Sequence, residues 1–182
     1  MSNGLSLLTI IWFSVASLIV PIDLTFVLTR PASEAHTHPL SATFPFNNWV
    51  YYSTFDRRYA PNDDPFVVLQ SYLNAVEVVL QVISLVAHFG GRYSCAAKVA
   101  LTVSVMTAYK TVMYLALEVL ENNKYTSHNS DRDLWLMVIL PSSIWIVMPM
   151  YVMFHTWRQL ELSSPLKIAC AVAKKQPTKE KK

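Results

Sequence analysis

Asp23, Glu77, Lys110 and Trp145 are the side chains best equipped for chemistry, and all four fall inside long apolar runs. A carboxyl group held away from water can give or take a proton near neutral pH. A lysine at the centre of a membrane helix costs roughly 2.5–3.5 kcal/mol on insertion scales, so Lys110 needs an acidic partner. An indole normally prefers the membrane interface, but Trp145 lies mid-run in "LPSSIWIVMP", where its ring face could stabilise a cation. An acid, a base and a cation-stabilising ring are the parts needed to move a proton onto and off carbon.

Spacing brings them together. Gln70, Asn74, Glu77, Gln81, Ser84 and His88 recur every three or four residues, the stripe of one helical face. Such a stripe cannot face hydrocarbon and must line a bundle interior or a wet cavity. Thr107, Lys110, Thr111, Tyr114 and Glu118 form a second polar set. Glu77 stands eleven residues in from Phe66, and Lys110 ten residues from Leu120. At 1.5 Å per residue both lie about 15–16 Å deep, and Trp145 falls at the same level. Two readings stay open for this plane: a working site, or an ion pair and interhelical hydrogen bonds that only lock the bundle. Asp23 lies five residues from the nearer end of its run, within reach of headgroup water.

The elements that must hold these groups are membrane helices. The chain of 182 residues is 53% hydrophobic and only 15% charged, against roughly 25% in a typical globular domain, and its mean hydropathy is +0.30. Four runs can cross a bilayer, at about residues 5–28, 66–89, 96–120 and 134–157. The expected fold is an all-α integral membrane four-helix bundle over residues 1–160, with a long first lumenal loop and a basic tail at 161–182. The first run lacks the positive flank of a cleaved signal peptide and is longer than its apolar core. Seven of the 15 basic residues follow Trp157, and Arg92 and Lys98 flank the short link between the second and third spans, which points both termini to the cytosol. The ending resembles an endoplasmic-reticulum retrieval signal, although Glu180 stands where such signals carry lysine. That membrane is the expected location. Cys95 and Cys170 both fall on the cytosolic side, where a structural disulfide is not expected.

Three glycines leave no phosphate-cradling loop, and the small net charge of +3 sits largely in the tail, so neither a nucleotide cofactor nor nucleic acid is expected. No metal is expected either: His36, His38 and Glu34 lack further ligands nearby. Pro141 and Pro149 can bend the fourth helix, with Ser142 and Ser143 able to satisfy the freed carbonyls. In the first loop Trp49, Tyr51, Tyr52, Phe55 and Tyr59 read as an aromatic cover for the bundle's mouth, pinned by an Asp56–Arg58 ion pair, or as a plain aromatic belt.

With "W…Y…DRRY…DPF" leading into the second span and "WIVMP" in the fourth, residues 10–160 resemble the EXPERA family. That family contains sterol Δ8–Δ7 isomerases, which are emopamil-binding proteins, and the sigma-2 receptor. The resemblance implies an acid that protonates a ring double bond, a carbocation held by the indole at Trp145, and a base that removes a neighbouring proton. Ser142 falls where those isomerases carry an asparagine, Val20 and Leu24 where they carry a histidine and a glutamate, and Ser71 where they carry a second glutamate. Asp23 and Glu77 are the nearest available carboxyls. The expected substrate is a sterol or terpenoid lipid met within the bilayer. The catalytic set is Glu77, Asp23, Lys110 and Trp145, and the ligand-binding set is Gln70, Ser71, Asn74, Tyr109, Tyr114, Ser142, Asp56 and Tyr59. A non-catalytic lipid-binding protein of the sigma-2 type is the alternative, and a ligand-free structural subunit a third. A homodimer is left open.

Overall fold

The computed structural model describes residues 4–162, which are all-helical, with no strand. Helix α1 spans Leu7–Thr29, α2 Asn47–Tyr52, α3 Pro65–Phe89 and α4 Tyr93–Leu120. A short turn, α5 (Asp131–Asp133), a π-helical stretch (Leu134–Ile139) and α6 (Leu140–Leu162) continue as one rod. Four helices are long and apolar enough to cross a membrane: α1, α3, α4 and the Asp131–Glu161 rod. Their ends agree with the expected spans to within a few residues. The expected tail, with Cys170, lies outside the described residues from position 163 onward.

Local chemistry sets the boundaries. The Ser6 side chain accepts the Thr9 N–H at the start of α1, and Asp64 accepts the Phe66 N–H at 3.0 Å with Pro65 in the first helical position. Gly91, at φ 73°, makes the tight turn between α3 and α4. Helix α4 stops at Asn122 and Asn123, both at φ 57°, a conformation asparagine tolerates better than most residues. The π-helical stretch ends two residues before Pro141. Proline offers no N–H and its ring crowds the carbonyl four residues back, so the preceding turn widens and the Leu140 N–H reaches the Trp135 carbonyl instead.

Helix α1 packs on α3, α3 on α4, and α4 on α6. Side chains close the ring between α1 and α6: Tyr151 donates to Ser6 at 3.2 Å, Gln159 donates to the Gly4 carbonyl at 2.8 Å, and Trp12 meets Trp145 edge-on at 4.9 Å. Trp12 thus packs inward against the second indole, away from the interface that tryptophan usually prefers. Outward faces carry apolar side chains such as Leu18, Leu69, Val79 and Val147, as lipid contact requires.

The half of the bundle around Leu5 and Gln159 has a packed apolar interior. Phe13, Ala96, Ala100, Val103 and Val152 form its core, and the small alanines let α4 approach its neighbours closely. The opposite half is roofed by two connections stitched together. The His128 ring bonds the Thr54 carbonyl at 2.7 Å, Asn129 donates to the Phe55 carbonyl at 2.7 Å, and the Arg57 N–H donates to the Tyr125 carbonyl at 3.1 Å. Residues 30–64 are thus folded turns around α2 rather than an open loop.

Candidate functional site: a polar cavity beneath the roof

Arg58 is the roof's anchor. Its guanidinium bonds Asp64 at 2.7 Å, Glu118 at 2.9 Å and also Glu121, and it stacks on Tyr125 at 4.2 Å. Burial alone would weaken its charge, but the Glu121 and Glu118 carboxylates outweigh that and hold it protonated above the usual arginine range. The expected Asp56–Arg58 ion pair is corrected here. Asp56 takes only the backbone N–H of Arg58, at 3.1 Å, because Asp64, Glu118 and Glu121 already occupy the guanidinium.

Under this roof lies a cavity of about 370 Å³, within the range of about 300–1,000 Å³ common for small-molecule sites. Asp23 on α1, Glu77 on α3, Lys110 on α4 and Trp145 on α6 all line it. Sequence depth alone had put the last three on one plane. Lys110 Nζ is 2.9 Å from Glu77 Oε1 and also bonds Asn74, while Thr107 Oγ1 is 2.8 Å from Glu77 Oε2. Asp23 accepts the indole N–H of Trp49 at 2.8 Å and bonds the Tyr59 hydroxyl. The two carboxyls therefore differ: Glu77 faces a cation, whereas the hydrogen-bond partners of Asp23 are neutral.

Gln70, Ser71, Asn74, Tyr59, Tyr114 and Ser142 also line the cavity. Thr107, Thr111, Val67, Asn48 and Trp49 join them, though only the polar pattern of α4 and the aromatic run around Trp49 hinted at these positions. Asn48 and Pro141 are both lining and exposed, so they mark the mouth. Asn48 stands on α2 and Pro141 on α6, so these two helices border it.

Two expected ligand contacts lie elsewhere. Tyr109 is 72% exposed on the outer face of α4, because one residue from Lys110 turns the side chain about 100° away from the cavity. Asp56 is buried behind the cavity wall, where Tyr114 donates to it at 2.6 Å and Tyr52 at 3.4 Å. Burial raises its pKa to about 6, against the opposing pull of the Tyr114 hydroxyl and the Arg58 N–H. Burial first, and then nearby carboxylates, push Tyr52 and Tyr59 well above the usual phenol range, so both remain O–H donors.

The lower stripe of α3 does something different. Ser17 donates to Gln81 at 3.2 Å, Ser84 donates to the Ala96 carbonyl at 2.9 Å, and His88 accepts the Leu5 N–H at 3.0 Å. In the roof, His38 uses both ring nitrogens, towards the Phe26 carbonyl at 2.8 Å and the Leu40 N–H at 3.1 Å. Among the described residues no group of three metal-ligating side chains forms. Comparisons with family models, with curated proteins and with solved structures find no match to this chain.

Proposed function

We propose that the protein is an intramembrane isomerase or cyclase of the EXPERA type, acting on a sterol or terpenoid olefin in the endoplasmic-reticulum membrane with both termini cytosolic. The observation that carries this reading is the convergence of Asp23, Glu77, Lys110 and Trp145 on one cavity. Asp23, flanked by neutral donors, carries the proton that adds to an alkene carbon. The resulting carbocation sits against the Trp145 ring. Glu77, paired with Lys110 at 2.9 Å, removes a proton from the adjacent carbon, and the double bond re-forms one position along. In a cyclase, a second alkene of the same molecule attacks the cation before the proton is lost. Between turnovers Glu77 loses its proton to water and Asp23 takes one from water, which resets the site, keeps the cycle proton-neutral and lets solvent deuterium reach the product.

Incubation of membranes bearing the protein with Δ8-sterols and terpenoid olefins in D2O tests this. Deuterium enters the product of the wild type and is lost in Asp23→Asn and Glu77→Gln. Trp145→Leu slows turnover about 30-fold, the equivalent of about 2 kcal/mol of desolvated cation–π stabilisation. Turnover that survives all three substitutions rules out these roles. One feature favours the non-catalytic reading instead: both carboxyls already accept hydrogen bonds from the protein, an arrangement that can grip a ligand without reacting. Saturable ligand uptake with no deuterium exchange identifies that case.

A further inference from the structure

Resting on this reading of the cavity, we infer that Gln70 selects a ligand carrying a hydroxyl group. Gln70 lines the cavity and is 5% exposed, yet among the described residues neither its amide nitrogen nor its amide oxygen has a hydrogen-bond partner. Its neighbours are already engaged. The Ser71 hydroxyl donates to the Val67 carbonyl at 3.0 Å, and the Asn74 amide oxygen accepts from Lys110. A buried donor and a buried acceptor left unpaired each carry a substantial desolvation penalty. The cavity is the side from which a partner can come.

A carboxamide offers an N–H and a C=O side by side. A hydroxyl answers both, because its hydrogen goes to the amide oxygen while its own oxygen accepts the amide N–H. A ketone or methyl ether can only accept, which leaves the Gln70 oxygen unpaired, and a hydrocarbon leaves both atoms unpaired. Gln70 precedes Glu77 by seven residues on one helical face, a rise of about 10 Å. The ligand's hydroxyl therefore lies about two helical turns from the carboxylate of Glu77, towards the roof. This makes the substrate an alcohol whose polar end is held remote from the carbon that reacts.

The test uses the fluorescent sterol dehydroergosterol, its 3-ketone and its 3-deoxy analogue, titrated into nanodiscs containing the full chain. Energy transfer from tryptophan reads the binding. The alcohol binds on the order of 10–100-fold more tightly than the deoxy compound, with the ketone between them. Gln70→Leu abolishes that ranking while binding the deoxy compound at least as well as the wild type, a gain that a misfolded variant cannot show. A diterpene alcohol and its methyl ether form a second arm that tells a sterol from a terpenoid. Equal affinity for alcohol and deoxy ligand, or a ranking that survives Gln70→Leu, overturns the inference. Deuterium exchange is scored separately. Selectivity without exchange retains the alcohol and removes the catalytic reading, whereas exchange that is indifferent to Gln70→Leu does the reverse.

Discussion

The two ends of α3 carry the same polar pattern and come to opposite uses. From Gln81 to His88 each polar group finds a protein partner, and the bundle around it is closed by alanines on α4. From Gln70 to Glu77 the stripe meets a cavity, and Gln70 finds no partner among the described residues. Periodicity says only that a helical face is not for lipid. What stands opposite decides the rest: Ala96 and Ala100 permit close approach, whereas Pro141, the widened turn before it and the bulky Trp145 hold α6 away from the upper stripe.

The largest expected effect is at the ion pair of the open half. Lys110→Met leaves Glu77 buried without its cation and lowers stability by about 3–5 kcal/mol. Glu77→Leu/Lys110→Met restores most of that loss in thermal unfolding. If the single variant is as stable as the wild type, the cavity is wet enough to solvate the carboxylate, and the two halves do not differ in what they ask of a buried charge.

Asp56 gives the next effect. Its folded-state pKa of about 6 lies above the ordinary 3.8, so the folded chain binds this proton more tightly than the unfolded chain. The sign follows: stability from this group is highest below about pH 4 and declines as pH rises to about 6, by up to about 3 kcal/mol. Asp56→Asn flattens this part of the profile in unfolding measured across pH. The same profile after Ser17→Ala stays as in the wild type.

Filling tests sharpen the comparison further. Ala100→Leu in the solid half overpacks the core and costs about 1–3 kcal/mol. Ser71→Leu in the open half leaves stability within about 1 kcal/mol and blocks ligand uptake, because the cavity absorbs the added volume. Smallest of all, Ser17→Ala removes the bond to Gln81 at a cost near 0.6 kcal/mol, the average for interhelical hydrogen bonds in a membrane protein.

Much of this arrangement was legible in residue order. Apolar length located the four spans, and counting depth from their ends brought Glu77, Lys110 and Trp145 to one level, because rise per residue is nearly constant along a helix. Rotation between helices is not encoded so locally. Whether Trp12 faced lipid or Trp145, and whether Arg58 met Asp56 or the carboxylates at the end of α4, depended on contacts between residues far apart in the chain. Tyr109 was misplaced for the simpler reason that it lies one step from Lys110 and therefore on another face. The Trp49–Asp23 bond, which joins the roof to α1, had no sequence signal beyond a shared taste for the interface.

The π-helical turn at Leu134–Ile139 inserts a surplus residue between two fixed ends. Below it α6 is fastened to α1 through Tyr151 and Gln159, and above it the chain enters the stitched roof. Deleting one residue from that stretch would convert it to ordinary α-helix and swing one end against the other by about 100°. Neither anchor could follow without tearing. The bulge thus acts as a phase adjuster, setting at once how the roof is met and which way the Trp145 indole looks.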